Sequence, residues 1–248
     1  MIYNQLKQDP YFRLGLLIKV LAILFFIPSI QETWFVPFLV NFIQNPSINP
    51  WASFVEINAD TLSFPYGVPM LLAHLPTTAL GWITDGIFGT NYFTGLGFRV
   101  SLLIADIACL FTLCELKNKY YKTLVKLYWL SPVVFLIIYW HGQTDIIPVS
   151  LLFLGAVFAF KGKLKKSAFI LATALVSKHS AAIAIPFLLL YLLVNKRGSK
   201  KSIIEFFLIF SLTALILEGG FIFYKPVSYT HLRAHETPEH LVCRLLLE

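Results

Sequence analysis

Long apolar stretches, separated by short polar or basic segments, occupy most of the chain from residue 14 to residue 223. A helix needs about 20 apolar residues to cross the ~30 Å hydrocarbon core of a bilayer. The pattern predicts spanning helices at 14–30, 100–116, 127–140, 146–160 and 203–223. Residues 167–194 are too long for one span and short for two, so they are predicted to form a hairpin of two short helices.

The segment 31–98 interrupts this pattern, because it is rich in proline and aromatic residues and contains no Lys or Arg. Cytoplasmic loops of membrane proteins carry an excess of Lys and Arg, so this segment is predicted to be extracytoplasmic. Within it, residues 67–87 are apolar but contain Pro69 and Pro76. This favours an interfacial or re-entrant helix over a kinked span. The predicted fold class is therefore all-α, a polytopic transmembrane helix bundle with an extracytoplasmic loop that carries interfacial helices.

Basic residues gather in three clusters, at 117–126, 161–166 and 195–201. If all three lie in the cytoplasm, an even number of crossings separates each neighbouring pair. Residues 141–145 provide the turn between the first two clusters, and the predicted hairpin turns near Lys178 and His179. With the N terminus inside, Glu32 and both turns are predicted to gather at the extracytoplasmic end.

Composition supports the membrane class, because 57% of the residues are hydrophobic and 13% are charged, whereas about a quarter of the residues in soluble domains are charged. The net charge of +7 comes from loops between apolar stretches, which favours a lipid bilayer and not nucleic acid as the partner. The first apolar stretch lacks a small-residue cleavage site and is interpreted as a signal anchor. Cys109 and Cys114 lie in one apolar stretch and are interpreted as small core residues.

Residues 227–248 depart abruptly from the apolar pattern and contain three of the six histidines together with Cys243. Residues 227–237 resemble the translation of a common transposase-type sequencing adapter, and residues 241–248 resemble its flow-cell end. We therefore expect residues 1–226 to be the N-terminal part of a longer membrane protein and residues 227–248 to be a non-native tail. No metal site is assigned to this tail.

Charged groups within or beside apolar stretches are costly and are therefore candidates for function. Asp106 lies in the middle of the stretch 100–116, and we interpret it as the hydrogen-bond partner of a Ser or Thr on another helix. Lys178 and His179 lie within the apolar stretch 167–194, so an anion or a cavity must offset their desolvation. Lysine commonly binds phosphate as a point charge.

The turn at 141–145 contains His141, Gln143 and Asp145 and has no basic residue. Its position directly after a run of aromatic and aliphatic residues favours a functional site over an ordinary exposed turn. Pro148 follows within the next predicted helix, where its missing N–H is tolerated near the first turn. These three side chains are candidates for binding a substrate.

Carboxylates in the extracytoplasmic segment are candidates for a general base, which a group transfer to a hydroxyl requires. They are Glu32, Glu56, Asp60 and Asp85. The chain has no Walker loop, no dinucleotide-binding fingerprint and no HExxH motif. We expect no cofactor, while the acidic residues leave a divalent metal open.

The order of these features resembles the GT-C superfamily of glycosyltransferases. The segment RVSLLIADIACLFTL (99–113) resembles its Asp-containing span, LSPVVFLIIYWHGQTDIIP (130–148) is similar to its signature ending in a polar turn, and LVSKHSAAIAIP (175–186) resembles its Lys-bearing hairpin. The FPYG segment (64–67) resembles a loop of bacterial members. The family's Asp or Asp-x-Asp after the first helix is absent, and Glu32 stands in that neighbourhood.

The resemblance implies a mannosyltransferase-like enzyme that moves a sugar from a polyprenyl-phosphate donor to a glycan or lipid acceptor. It implies a multi-pass protein of a bacterial plasma membrane with its site facing outside. Glu32, Glu56 or Asp60 would be the catalytic base. The substrate-binding candidates are Tyr66, Arg99, His141, Gln143, Asp145, Lys178 and His179. A polysaccharide polymerase, a lipid-linked sugar flippase and a secondary transporter are the alternatives.

Overall fold

The computed structural model describes residues 2–57, 63–116, 118–194 and 199–224. In these ranges the regular structure is helical throughout and contains no strand, which confirms the all-α prediction. The candidate base Asp60 and the predicted non-native tail 227–248 lie outside the described residues. The α-helices are, in chain order, α1 (Ile2–Gln8), α2 (Pro10–Phe25), α3 (Val36–Gln44), α4 (Pro50–Glu56), α5 (Val68–Phe88), α6 (Phe93–Leu116), α7 (Tyr121–Leu124), α8 (Pro132–Phe135), α9 (Ile146–Phe160), α10 (Leu164–Ser177), α11 (Ala184–Val194) and α12 (Lys200–Tyr224).

Shorter helical segments of other types connect or extend these elements. They are the π-helical segments Gln31–Phe35, Val125–Trp129 and Leu136–Trp140 and the 3-10 segments Asn118–Tyr120 and His179–Ile183. Two π-helical segments lengthen α7 and α8 into a broken helix, whose first half is Tyr121–Trp129 and whose second half is Pro132–Trp140. The two halves meet at an angle of 49°.

Two helices of the described residues, α6 and the Lys200–Gly219 part of α12, are long and apolar enough to cross a membrane. The broken helix is a third candidate if its two halves form one span. The helix α9 and the segment His179–Leu192 are apolar but shorter. The chain therefore has, in the part that the structure describes, two or three helices that could cross a membrane.

The first predicted span, 14–30, differs from the observed helix α2, which begins and ends earlier. Its start is fixed by Asp9, whose side chain accepts hydrogen bonds from the backbone N–H groups of Tyr11 and Phe12, and by Pro10 at the first helical position. Both features are strong helix-start signals. The helix ends before Pro28, whose ring disfavours a helical conformation in the residue that precedes it.

The described parts of the basic clusters lie at one end of the bundle. Lys161, which follows α9, forms an ion pair with Glu115 at the end of α6. Lys165, at the start of α10, lies 3.3 Å from Glu205 near the start of α12. These two ion pairs bring the loops after α6 and α9 close to the start of α12.

The segment 167–194 forms the predicted hairpin. The helix α10 ends at Ser177, directly before Lys178. The helix α11 runs back towards the end that carries the basic clusters, because the ring of Tyr191 lies 4.8 Å from that of Phe160 at the end of α9. The predicted turn at Lys178 and His179 therefore lies at the end of the bundle opposite the basic clusters.

The segment predicted as interfacial or re-entrant forms one continuous helix, α5, with Pro76 inside it. It packs closely against the first half of α6, because a Cβ on Gly81 would lie 2.0 Å from the carbonyl oxygen of Phe93, and one on Gly97 would lie 2.1 Å from that of Thr77. The helix is not among those apolar enough to cross a membrane.

The carboxylate of Asp85 joins α5 to the start of α6. It accepts hydrogen bonds from the Thr90 and Thr94 hydroxyls and from the backbone N–H groups of Phe93 and Thr94, at 2.6 to 2.9 Å. Asp85 thus supplies acceptors for helix-terminal N–H groups that would otherwise be unpaired. Burial raises the pKa of Asp85, but these hydrogen bonds outweigh burial and lower the pKa to about 2.

We expect Asp85 to make the protein less stable in acid. Because the folded-state pKa lies below the ordinary value of 3.8, its contribution to stability is complete above pH ~4 and is lost as the pH falls towards ~2. Asp85→Asn should lower the melting temperature at neutral pH. The difference in melting temperature between variant and wild type should become smaller between pH ~4 and pH ~2. Melting curves of both purified proteins across this pH range measure the difference. A difference that does not change with pH would contradict the role of the ionised Asp85 carboxylate in stability.

Candidate functional site

The turn 141–145 is fixed against the chain segment that follows α2. Gly142 has a positive φ of 84°, a conformation that glycine adopts without strain. Its carbonyl oxygen accepts a hydrogen bond of 3.0 Å from Nε2 of Gln31, and a Cβ on Gly142 would lie 2.6 Å from Cβ of Pro28. The turn is therefore held close to Glu32, the residue after Gln31.

Lys178 interrupts the hairpin and points its charge at the turn. Its backbone is extended, with φ −154° and ψ 124°, between α10 and the next 3-10 segment. Its Nζ donates a hydrogen bond of 2.6 Å to Oδ1 of Asp145, and it lies 5.6 Å from the centre of the Tyr66 ring. The side chains of Lys178 and Asp145 are 30% and 41% exposed, so a ligand can reach the pair.

Tyr66 is brought to Lys178 by a short segment that packs against the end of α10. The backbone N–H of Gly67 donates a hydrogen bond of 3.2 Å to the carbonyl oxygen of Ser177. Nε1 of Trp51 donates one of 2.9 Å to the carbonyl oxygen of Phe64. The Phe64 ring stacks on Phe38 at 4.8 Å and packs edge to face with Tyr66 at 5.2 Å. The segment 63–67 is thereby fixed by an aromatic cluster on α3 and α4.

No side chain fits at Gly67, so a substitution there tests directly how the segment 63–67 packs against the end of α10. A Cβ at this position would lie 1.9 Å from the carbonyl oxygen of Val176, which is backbone. We expect Gly67→Ala to destabilise the protein by about 1–3 kcal/mol, as overpacking does. Gly86→Ala is the matched control, because its Cβ would meet no atom within 4 Å. Thermal unfolding of both variants measures the difference, and equal melting temperatures would contradict the close approach of Gly67 to Val176.

Arg99 lies near Glu32, and its Nε is bound within the protein. The Arg99 side chain is buried, its Nε donates a hydrogen bond of 2.7 Å to the carbonyl oxygen of Ile23, and it lies 5.8 Å from the centre of the Tyr92 ring. The exposed carboxylate of Glu32 acts electrostatically on this guanidinium. The carboxylate of Glu32 and the buried guanidinium of Arg99 thus lie close enough to interact.

Three buried polar atoms of candidate residues or their neighbours have no hydrogen-bond partner in the described part of the chain. They are Oε1 of Gln31, Nη2 of Arg99 and Oγ1 of Thr144. Buried polar groups are normally paired, and those of Gln31 and Thr144 lie beside Gly142, so this region is suited to a polar ligand. Thr144 was not singled out in the sequence, because an isolated threonine in a turn carries no distinctive signal.

The structure brings some of the predicted site residues together and leaves others apart. Tyr66, Asp145 and Lys178 form one contact cluster, and Gln143 lies half-buried in the same turn. Nε2 of His179 instead lies 2.9 Å from Oε1 of Glu218 on α12. Glu218 was not predicted, although an acid inside an apolar stretch is a recognisable signal.

Two further candidates lie at the margins of this cluster. His141 is exposed at the start of the turn, and Glu56 is exposed at the end of α4. Glu32 directly follows Gln31, which bonds to the turn, so Glu32 is the described candidate base most closely connected to it.

The predicted partner of Asp106 was wrong. Asp106 bonds not to a Ser or Thr but to Nζ of Lys19, at 2.6 Å, and to the hydroxyls of Tyr128 and Tyr139, both at 2.7 Å. A charged partner is favoured because a carboxylate in an apolar interior needs its charge compensated. Lys19 was overlooked, although a lysine within the apolar stretch 14–30 was visible.

Among the described residues, no group of three or more His, Cys, Asp or Glu side chains is arranged to hold a metal ion. Comparison of the chain with protein-family models, with curated proteins and with solved structures finds no match.

Proposed function

We propose that the protein is a membrane glycosyltransferase that moves a sugar from a polyprenyl-phosphate donor to a hydroxyl of a glycan or lipid acceptor. The observation that supports this most is the accessible Lys178–Asp145 pair beside Tyr66, at the same end of the bundle as Glu32. A cation, a carboxylate, an aromatic face and a separate exposed acid are the groups that such a transfer needs. The GT-C resemblance supports the same assignment.

The proposal includes a polytopic bundle whose site end faces outside the plasma membrane. The described members of the basic clusters, among them Lys161 and Lys165, lie at the opposite end, where the positive-inside rule places the cytoplasm. In this orientation the donor's polyprenyl chain lies in the bilayer and its phosphate meets the protein near Lys178. The interfacial helix α5 then lies on the side from which the acceptor approaches.

In the proposed reaction, the acceptor hydroxyl oxygen forms a bond to the anomeric carbon of the sugar while the bond from that carbon to the phosphate oxygen breaks. The electron pair of the broken bond leaves with polyprenyl phosphate, and the configuration at the anomeric carbon is inverted. Glu32 takes the proton of the acceptor hydroxyl. Lys178 stabilises the charge on the leaving phosphate, and Asp145 orients Lys178. Gln143 and Tyr66 contact the sugar or the acceptor.

We expect Lys178→Met to weaken binding of polyprenyl phosphate, because the variant keeps the apolar stem and removes the charge. Charge-assisted hydrogen bonds are about twice as strong as neutral ones, so a decrease in affinity of roughly tenfold or more is expected. Binding of short-chain polyprenyl phosphate to the purified full-length protein measures this. Lys166→Met, at the opposite end, is the matched control. Equal affinities for the Lys178→Met and wild-type proteins would remove Lys178 from the donor site.

A further inference from the structure

A buried polar cluster lies between the two ends of the bundle, and the proposed reaction does not use it. It consists of Lys19 on α2, Asp106 on α6 and the two tyrosines Tyr128 and Tyr139. Asp106 is 0% and Lys19 2% exposed, so a substrate at the bundle end cannot contact either side chain. The Nζ of Lys19 also lies 3.6 Å from the centre of the Trp129 ring. The charges are thus compensated within the protein.

The tyrosines belong to different halves of the broken helix. Tyr128 lies in the first half and donates to Oδ1 of Asp106, whereas Tyr139 lies in the second half and donates to Oδ2. One carboxylate therefore bonds both halves across the 49° bend. The bend itself begins at Ser131, whose extended backbone, with ψ 121°, precedes Pro132. Proline removes a helical N–H and disfavours a helical residue before it.

The second half of the broken helix leads directly into the turn 141–145. Tyr139 is three residues before Gly142, which receives the hydrogen bond from Gln31. Between them, Trp140 packs its ring 5.0 Å from that of Phe26 at the end of α2. A change in the bend would therefore move the turn relative to Gln31 and Glu32.

A proline alone does not set this angle. Ser131 and Pro132 break the run of backbone hydrogen bonds, but they leave the two halves free to adopt a range of angles. The Asp106 carboxylate limits this range, because both of its oxygens are occupied by donors on opposite sides of the break. Lys19 donates a hydrogen bond to the same carboxylate and connects it to α2, the helix whose end contacts Trp140.

We propose that Asp106 is a positioning residue, which fixes the bend of the broken helix through Tyr128 and Tyr139 and thereby holds the turn 141–145 beside Gln31. Its effect on sugar transfer rests on the proposed function, but its effect on the position of the turn does not. Asp106 thus acts on a site that it never touches.

The position of the turn is tested by cross-linking, without reference to activity. Cysteines replace Phe26 and Trp140, both of which are exposed, in the full-length protein whose buried Cys109 and Cys114 are changed to Ala. A short bifunctional thiol reagent joins the pair in native membranes. We expect Tyr128→Phe and Tyr139→Phe each to slow cross-linking by roughly tenfold, as the loss of a hydrogen bond to a charged group does.

Tyr120→Phe is the matched control, because Tyr120 is exposed next to the first half of the broken helix and should leave the rate of cross-linking unchanged. Both tyrosine variants keep the Lys19–Asp106 pair, so they test the role without exposing an unpaired charge. Asp106→Asn should slow the reaction further than either. Unchanged rates in Tyr128→Phe and Tyr139→Phe would overturn the proposal.

The kinetics of sugar transfer show whether the position of the turn 141–145 matters for the proposed reaction. Tyr139→Phe is expected to lower kcat about tenfold, with the pH profile of kcat unchanged, because the base itself is untouched. A slowed cross-link with normal kcat would confirm that Asp106 holds the turn and would contradict the expected effect of the turn's position on sugar transfer. If the wild type transfers no sugar, the proposed function fails, and cross-linking alone decides whether Asp106 positions the turn.

Discussion

Replacement of Glu32 by Gln is expected to lower the rate of sugar transfer by about 10²–10⁴-fold, the usual effect of removing a general base. Gln keeps the size of the side chain and its place in the π-helical segment but cannot accept the acceptor's proton. Because Glu32 is exposed and Gln31 rather than Glu32 holds the turn, folding and donor binding should remain as in the wild type. Steady-state transfer and donor-binding measurements on the same preparation separate the two effects.

The matched control is Glu115→Gln, which removes an exposed carboxylate at the basic end and should change transfer by little, as surface ion pairs contribute weakly. Wild-type rates in Glu32→Gln would rule out Glu32 as the base. Loss of transfer in Glu56→Gln or Asp60→Asn would then move that role to α4 or to the segment that follows it.

Lys19→Met is expected to destabilise the protein by about 3–5 kcal/mol, because it leaves the Asp106 carboxylate buried without its counter-charge. The double variant Lys19→Met/Asp106→Leu should be more stable than Lys19→Met, since replacing both partners of a buried ion pair by apolar residues is often neutral. Unfolding of the detergent-solubilised protein, followed by heat or denaturant, measures both variants.

Lys161→Met is the matched control for this series, because it breaks an ion pair whose side chains are 41% and 54% exposed. Such pairs contribute about 0–1 kcal/mol. A Lys19→Met variant as stable as Lys161→Met would contradict the buried ion pair. A double variant less stable than Lys19→Met would show that removal of the carboxylate from the Tyr128 and Tyr139 hydroxyls costs more stability than an uncompensated charge on Asp106.

Local patterns predicted much of the fold. The break at Lys178 was visible because two charged or polar residues interrupt a long apolar stretch, and the structure places it between α10 and α11. The sequence predicted that the basic clusters share one end of the bundle, and their described members Lys161 and Lys165 lie at one end. The earlier start of α2 came from its cap at Asp9, which the apolar pattern does not register.

The pairings across the fold could not be predicted in the same way. Lys19 and Asp106 are 87 residues apart in sequence, and nothing local to either one identifies the other. Asp145 and Lys178 were both singled out, but their direct ion pair was not, because it depends on how the end of α10 meets the start of α9. Glu218 lies on a helix whose predicted role was only to cross the membrane.

The most direct test of the central proposal is sugar transfer by the full-length protein reconstituted in lipid vesicles. The donor is a panel of hexoses linked to polyprenyl phosphate, the matched comparison is the corresponding sugar nucleotides, and the acceptors are membrane glycans and lipids. The proposal predicts transfer from at least one polyprenyl-phosphate donor, release of polyprenyl phosphate, and inverted configuration in the product. Folded protein that binds no polyprenyl-phosphate donor and transfers no sugar from any of them would contradict it.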